Sequence, residues 1–475
     1  MRYNLITTFL ENSFSKKNNF YLGKWCHSFD KKKFLKPNFE NTMSYHWIDH
    51  KKINKDFLYI EKTAEKILVK LSNSLNSIHK TNHDINYWAV IIYPWLVHYI
   101  SFLFDRWETC RLLIKKNRQK KFTFYSINFK RYDKTPIDHE DFFKKIYEDK
   151  WNYIIFKRII NFTSPKNINK KNFRYKIESD EDKQNSNKKI SLRILLLVDK
   201  IVSTIAIKFN PIIIENFKFP LIDYLKLCFS KGLVPAKFMS SFDVKAEMKD
   251  KNLSLRKNFL KIFLKDRNFN KFENFLFLSI CKDLPLSYLE NYEELKIQSK
   301  KLSNRKKVII TMHSNHWNDF FKIYFAENKL VKSRIIVSDH GGGLHPKLNH
   351  YFKFSEKYYD KKLSYFRNNN KIFYHKLPPT LPIIKKRITN ITKDQLTLLI
   401  TPSARYQSKC MSVPFFDEWV SQITEIINFS KNLNVGMKDK LKFRFKDAGE
   451  KGLFGNGNCV TDIFRSIFGD KKVET

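Results

Sequence analysis

The 475-residue sequence predicts an α/β protein with parallel β-sheet in its second half. Short, continuously apolar runs alternate there with stretches of helical periodicity, which is the pattern of parallel strands buried on both faces. Three of the chain's 11 glycines are consecutive and directly follow one of these runs. Hydrophobic residues make up 42% and aromatic residues 16% of the chain, so a sizeable core is expected.

Residues 1–163 are rich in aromatic side chains and mostly helical in pattern. From His46 to Leu75, apolar residues recur at helical spacing with Lys and Glu between them. The segment Tyr87–Phe104 carries no formal charge over 18 residues, close to the length of a membrane span. Because it contains His98 and a central Pro94, we interpret it as a buried helix pair kinked at the proline. Insertion into a membrane is the alternative.

Residues 164–190 are polar and charged, and predict a linker or loop before the α/β part. Beyond it, the apolar runs Ile194–Val198 and Pro211–Glu215 stand between helical stretches. Further along, the pattern predicts strands at 306–311, 334–337, 396–400, 441–445 and 472–474, and helices at 318–329, 415–432 and 460–468.

The chain is strongly basic, with a formal net charge of +42. Such a charge is typical of proteins that bind nucleic acid or an anionic membrane. Lysine is spread along the whole chain, which is also rich in Asn, Ile, Phe and Tyr, so a general compositional bias explains most of the charge. No RRM, KH or helix-turn-helix pattern is present, and nucleic acid is not expected as a partner. Weak peripheral binding to anionic lipid is expected.

The six cysteines are widely separated and form no CxxC pair, which argues against a disulfide framework. The first residues lack the pattern of a signal peptide. We therefore expect a cytoplasmic protein that associates peripherally with the inner face of the plasma membrane.

His340 and the glycines Gly341, Gly342 and Gly343 follow the strand predicted at 334–337. In open α/β sheets, ligands bind beyond the carboxyl ends of the strands. Successive backbone N–H groups in a glycine-rich turn can hold a phosphate, and a histidine beside them can act as a general base. The alternative is a tight turn that carries a surface histidine.

Several enzyme classes are excluded by missing motifs. The oxyanion hole of α/β-hydrolases also uses His-Gly-Gly-Gly, but it requires a G-x-S-x-G nucleophile elbow, which is absent. Neither a P-loop nor a G-x-G-x-x-G dinucleotide motif occurs. No metal site is expected, because the following five histidines fit no standard ligand spacing: His313, His316, His340, His345 and His350.

Charged residues at or near other element ends are further candidates. Arg405 follows the strand predicted at 396–400 and can hold a phosphate as a planar fork, the alternative being an ordinary surface arginine. Arg444 lies within a predicted strand, where a charge points to a ligand or to the sheet edge. Asp105 and Arg106 close the apolar helical segment. We interpret them as an ion pair that fixes the helix end rather than as catalytic groups.

Several segments together carry a resemblance to a known family. Taken in order along the chain, they are L-G-K-W-C (22–26), W-A-V-I-I-Y-P-W-L (88–96), F-D-R-W (104–107), D-L-P-L-S-Y-L-E-N-Y (283–292), N-D-F-F-K-I-Y-F-A-E (318–327), D-H-G-G-G (339–343) and A-R-Y (404–406). The chain resembles the transferases of O-antigen and surface-polysaccharide gene clusters, which are regarded as GT-B-like glycosyltransferases. The resemblance covers nearly the whole chain.

This resemblance implies two Rossmann-like domains, at 191–370 on the acceptor side and at 371–475 on the donor side. A sugar or related group would pass from a nucleotide-activated donor to a polysaccharide or lipid-linked acceptor, with no obligatory cofactor. The implied site residues fall into three groups. They are the catalytic His340 and Asp339; the phosphate-binding Gly341, Gly342, Gly343, Arg405, Tyr406 and Arg444; and the structural or acceptor-side Asp319, Lys322, Asp105 and Arg106.

The sequence departs from the family pattern at three places. Family members usually carry Gln before the histidine and Tyr-Gly after the glycines, where this chain has Asp339, Leu344 and His345. A W-G-W stretch is reduced to 364–366 (S-Y-F). The family also continues beyond the strand predicted at 472–474, which implies an incomplete second Rossmann-like domain. The alternative function is therefore that of a truncated, inactive paralogue that binds a carbohydrate or a partner.

Overall fold

The protein combines three parallel β-sheets with fifteen α-helices within the residues that the structure describes. Every strand pairing in these residues is parallel, so the α/β prediction is confirmed. The computed structural model describes residues 2–15, 17–29, 31–129, 132–175, 190–216, 220–236, 239–244, 251–265, 269–302, 305–312, 314–338, 358–364, 374–376, 394–401, 403–406, 408, 415–445 and 460–474.

The first sheet lies in the N-terminal region, which the sequence predicts as mostly helical. Its order is β2-β1-β3-β4, with the strands β1 (Arg2–Ile6), β2 (Asn19–Tyr21), β3 (Lys121–Ile127) and β4 (Ile168–Phe173). These strands are short or polar, as in the largely exposed I-N-K-K-N-F of β4, so no continuous apolar run marks them. β4 also occupies part of the segment expected to be a linker at 164–190, of which residues 176–189 lie outside the described ones.

The second sheet has five strands, of which the first three follow apolar runs of the sequence and the last two were not predicted. Its order is β5-β6-β7-β8-β9, with β5 (Ile212–Glu215), β6 (Val308–Thr311), β7 (Arg334–Ser338), β8 (Lys361–Ser364) and β9 (Tyr374–Lys376). Buried isoleucines stack across its first three strands, because Ile309 is in register with both Ile213 and Ile335. β9 lies beyond the boundary expected at residue 370, yet it pairs with β8.

The third sheet contains β10 (Leu396–Ile400), β11 (Leu441–Phe445) and β12 (Val473–Glu474), in that order. Its inner face is aromatic: the ring of Phe443 lies 4.9 Å from that of Phe464 and 4.6 Å from that of Phe468. These predicted strands are therefore present, with boundaries shifted by at most one residue.

The helices of the described residues vary widely in length and account for most of the core. The apolar run at 194–198 lies inside one of them rather than in a strand. They are α1 (Lys31–Leu35), α2 (His50–His79), α3 (Ile85–Lys116), α4 (His139–Lys145), α5 (Asp149–Thr163), α6 (Ile190–Phe209), α7 (Leu221–Ser230), α8 (Leu253–Phe263), α9 (Lys271–Asp283), α10 (Tyr292–Leu302), α11 (Ser314–Trp317), α12 (Asp319–Leu330), α13 (Phe416–Asn432), α14 (Val435–Lys440) and α15 (Val460–Phe468).

Helix α3 runs through the interior of the protein. It is the one helix of the described residues long and apolar enough to cross a membrane, but its apolar window is 100% buried inside the protein. The prediction of burial is thus confirmed, while the expected helix pair is a single helix of 32 residues with Pro94 inside it. Proline removes one helical N–H donor, and the burial of the aromatic and aliphatic side chains around it offsets that cost.

Polar side chains of α3 bond to several neighbouring elements. The Tyr87 hydroxyl donates to Glu327 of α12 at 2.6 Å and lies 2.8 Å from the Tyr292 hydroxyl of α10. Farther along the helix, the Tyr99 hydroxyl donates to the Asp283 carboxylate at 2.7 Å. Since buried polar groups are costly unless paired, these bonds fix where the surrounding helices dock.

The Asp105–Arg106 pair joins α3 to the C-terminal part of the chain. The buried Arg106 guanidinium contacts Asp105 and also donates to the Tyr406 carbonyl oxygen at 2.7 Å and to the Asn152 side chain at 3.1 Å. Burial by itself would raise the pKa of Asp105, but the Arg106 guanidinium and a hydrogen bond from His46 hold it below its usual value. The pair thus links three separate chain segments.

Replacing Arg106 by leucine is expected to destabilise the protein by about 3–5 kcal/mol, because Asp105 would stay buried without its cation. Urea unfolding followed by circular dichroism measures the loss. Arg111→Leu on the same helix is the matched control. Its side chain is 49% exposed and pairs with Glu108, so its loss should cost less than about 1 kcal/mol. Equal losses in the two variants would contradict the role assigned to Arg106.

Candidate functional site

The carboxyl edge of the five-stranded sheet carries a compact group of polar side chains. The Thr311 hydroxyl donates to one carboxyl oxygen of Glu215 at 2.6 Å, and the Ser314 hydroxyl donates to the other at 2.5 Å. All three side chains are buried. Both oxygens of one carboxyl group are thereby held in place by hydroxyl donors.

The backbone explains why these residues meet. Glu215 ends β5 and Thr311 ends β6, and the two are direct partners in the parallel register. Asn216 then turns the chain away from the sheet with φ of 55°, and Ser314 begins the one-turn helix α11. Strand ends of a parallel sheet lie at one edge, which is where open α/β sheets bind their ligands.

Glu215 is poised to exchange a proton near neutral pH. Burial raises the pKa of its carboxyl group to about 7, although the hydrogen bonds from Ser314 and Thr311 act in the opposite direction. A carboxyl group with such a pKa can act as an acid or a base in a reaction at physiological pH.

An aromatic side chain follows Ser314 in the same short helix. Trp317 is half-buried at the end of α11, three residues after Ser314 and therefore on the same side of the turn. Its ring lies 4.4 Å from Phe143 and 5.2 Å from His98, which belong to α4 and α3. Trp317 thus packs α11 against these two N-terminal helices and keeps part of its surface exposed.

The His-Gly-Gly-Gly segment follows the same edge in the sequence. Ser338 ends β7, the strand that pairs with β6, and the next residues are Asp339, His340 and Gly341–Gly343. These five residues lie outside the described part of the chain, so their predicted roles rest on the sequence.

Asp319 and Lys322 belong to a separate, fully internal cluster. The Lys322 ammonium lies 2.6 Å from the Asp319 carboxylate and donates to the Tyr288 hydroxyl at 2.9 Å. The other carboxylate oxygen accepts from the Ser287 hydroxyl and from the backbone N–H of His139 at 3.1 Å. With Lys322 completely buried, the cluster connects α4, α12 and the turn around 286–288 rather than facing an edge.

Two histidines extend this cluster and are neutral. His139 Nε2 lies 3.1 Å from His98 Nδ1, and its Nδ1 lies 3.4 Å from the Lys322 ammonium. Burial, together with the nearby Lys322 charge, lowers the pKa of His98 to about 3 and that of His139 well below its usual value. These imidazoles accordingly serve as hydrogen-bonding groups within the core.

Arg405 and Tyr406 lie buried against the N-terminal region. The Arg405 guanidinium donates to the carbonyl oxygens of Trp25 at 2.8 Å and His27 at 2.7 Å, and stacks 4.2 Å over the Phe9 ring. The Tyr406 hydroxyl accepts from the Phe9 N–H at 3.1 Å and contacts Asp149. Both residues are thus buried in contacts that pack the C-terminal part of the chain against the N-terminal region, and the phosphate binding predicted for them stays a prediction.

The space around Arg405 is small. A cavity of about 20 Å³ is lined there by Phe9, Arg405, Phe416 and Trp419 among others, enough for about one water molecule. Arg444 lies apart from it, exposed on the outer face of the third sheet and in register with Leu399. Neither residue is brought near Glu215 by a contact among the described residues.

No group of three or more His, Cys, Asp or Glu side chains in the described part of the chain is arranged to hold a metal ion.

The family model of the LIC12162 family transferases matches residues 3–466 of the chain. The protein belongs to this family. No curated protein and no solved structure matches the chain. The transferase expectation from the sequence is therefore supported at the level of the family.

In this LIC12162 family transferase, sequence reasoning missed Glu215 as a site residue. The signal was present, since the run I-I-I-E ends on an acid at the carboxyl end of an apolar strand. Its meaning depended on knowing that β5 pairs with β6, because the register partners Glu215 and Thr311 are 96 positions apart in the sequence.

The raised pKa of Glu215 predicts a specific pH dependence of stability. The native state binds this proton more tightly than the unfolded chain, so the stabilisation is complete below about pH 4.5 and is lost as the pH rises through about 7. As the pH rises through this window, the free energy of unfolding of Glu215→Gln should therefore decrease by about 3 kcal/mol less than that of the wild type. Thermal unfolding across the pH range measures the difference.

Glu425→Gln serves as the control, because this carboxyl group is exposed on α13. Its stability profile should follow that of the wild type. A Glu215→Gln profile that also follows the wild type would show that Glu215 does not hold its proton in the folded state.

Proposed function

We propose that this transferase moves a sugar or a related group from a nucleotide-activated donor to a hydroxyl group of an acceptor. The acceptor would be a polysaccharide or a lipid-linked saccharide in surface-polysaccharide or O-antigen synthesis. The supporting observation is the carboxyl edge of the five-stranded sheet, where Glu215, Thr311 and Ser314 gather and from which the sequence continues into the His-Gly-Gly-Gly segment. This is the edge at which a parallel α/β sheet binds ligands.

In the proposed reaction, the His340 imidazole, oriented by Asp339, takes the proton of the acceptor hydroxyl. The acceptor oxygen forms a bond to the sugar carbon, and the bond between that carbon and the donor phosphate oxygen breaks. The nucleotide leaves with the bonding electron pair. Backbone N–H groups of Gly341–Gly343 stabilise the negative charge that develops on its phosphates. The scheme uses only groups of the chain and calls for no resident cofactor.

The acceptor is proposed to lie beside Glu215. Adjacent strands are about 4.8 Å apart, so the end of β5 stands about 10 Å from the end of β7, roughly the width of a sugar ring and its substituents. Ser314 and Glu215 supply polar groups for acceptor hydroxyls, and Trp317 supplies an apolar face. The buried Asp319–Lys322 pair stabilises the first turn of α12, which begins directly after Trp317.

His340→Ala is expected to lower kcat by about 100-fold or more while leaving donor affinity nearly unchanged, because it removes the base and not the phosphate contacts. Turnover of labelled nucleotide sugars measures the first quantity and calorimetric titration the second. His375→Ala on β9, an exposed position, is the control. Equal binding together with equal turnover would remove His340 from the mechanism. A wild-type protein that binds saccharide but transfers nothing would favour the binding-protein alternative.

Ser314→Ala is expected to raise the KM for the acceptor by about tenfold, since it withdraws one donor from Glu215 and leaves a buried oxygen unpaired. The KM for the donor should not change, because the proposed phosphate site lies at β7. Steady-state kinetics with each substrate varied separate the two. Ser230→Ala on the exposed end of α7 is the control. A change in donor KM alone would place the donor, rather than the acceptor, beside Glu215.

A further inference from the structure

We propose that helix α6 lies in the interfacial layer of an anionic phospholipid membrane, with its exposed apolar face against the lipid. Five large apolar side chains project from one side of this helix. They recur at helical spacing and are strongly exposed: Ile194 (58%), Val198 (52%), Ile201 (58%), Ile205 (42%) and Phe209 (69%). A row of this kind is unusual on a surface that faces only water.

The second half of the helix is attached to the protein by its opposite side. Ser203, Ala206 and Ile207 are completely buried, and the Ser203 hydroxyl lies 2.7 Å from that of Ser241. The exposed row is therefore held in a fixed orientation. From Ile194 to Phe209 it extends about 22 Å at the rise of an α-helix, long enough for a flat contact with a membrane surface.

The charges around the row favour lipid over a second copy of the chain. Lys208 is exposed beside it and Lys200 is exposed farther round the helix, and Asp199 is the helix's single acidic residue and partly buried. The whole chain carries a formal charge of +42, which attracts an anionic membrane but repels an identical chain. Apolar side chains on one face with flanking lysines are the pattern of helices that lie in the membrane interface.

Further exposed apolar side chains follow α6 in the sequence. α6 leads directly into β5, an edge strand of the five-stranded sheet, and β5 leads into α7. The α7 residues Leu221, Ile222 and Phe229 are also strongly exposed. In the sequence, exposed apolar helices therefore precede and follow the first strand of the sheet, the strand that ends on Glu215.

Flotation of the full-length protein with vesicles tests this proposal. Vesicles of phosphatidylcholine alone are compared with vesicles of phosphatidylcholine and phosphatidylglycerol in equal parts. The wild type should float with the anionic vesicles and much less with the neutral ones. The double variant Ile201→Glu/Ile205→Glu should lower the bound fraction by at least about tenfold, because two aliphatic side chains lose their burial in lipid. Leu58→Glu, at a similarly exposed site on α2, should bind as the wild type does.

Circular dichroism and sedimentation velocity accompany the flotation. The proposal is supported if the Ile201→Glu/Ile205→Glu variant keeps the circular dichroism spectrum of the wild type but no longer floats with the vesicles. The Lys200→Gln/Lys208→Gln variant, which keeps the apolar row, should bind anionic vesicles several-fold more weakly. Unchanged flotation of the Ile201→Glu/Ile205→Glu variant overturns the proposal. So does a wild-type dimer that this variant converts to a monomer, since a second copy would then cover the row. No substrate is present in these assays, so their outcome is independent of whether the protein transfers a sugar.

Discussion

The structure depends on the burial of helix α3 and on the pairing of the polar groups that are buried with it. An apolar helix of this length can enter a protein core only if its hydroxyl, imidazole and charged groups find partners there. Tyr87, Tyr99 and Arg106 do so with residues of α9, α10, α12 and the loop after β10. Each bond crosses a large distance in the sequence, so one helix determines where several separate segments dock.

The same constraint explains what two of the segments that carry the family resemblance contribute to the structure. In D-L-P-L-S-Y-L-E-N-Y, Asp283 accepts from Tyr99, Ser287 and Tyr288 bond to Asp319, and Tyr292 meets Tyr87. A-R-Y likewise supplies Arg405 and Tyr406 to the loops after β1 and β2. A buried polar group has few acceptable substitutes, because losing one partner leaves the other unpaired. Sequence motifs in such positions identify residues that stabilise the fold, and these residues need not take part in the reaction.

The candidate site follows a different rule. Glu215, Thr311 and Ser314 satisfy each other at the end of the sheet, and the sequence continues into the glycine segment from the end of a strand in that same sheet. Burial raises the pKa of the Glu215 carboxyl group to about 7, whereas the neighbouring Arg106 guanidinium holds the pKa of Asp105 below its usual value. Two buried carboxyl groups in one protein thus differ in protonation because one has a cation as its partner and the other has only hydroxyl groups.

The sequence by itself determined the α/β class and the strands and helices whose apolar pattern is continuous, such as β6, β7, β10, α12 and α15, because burial on both faces leaves a local signature. It also located the edge of the sheet at which a ligand is expected. Only the tertiary structure decided that short, polar strands form an N-terminal sheet and that Arg405 points at backbone carbonyls. It likewise decided that Glu215 pairs with Thr311. These outcomes depend on contacts between residues far apart in the chain, for which no local pattern exists.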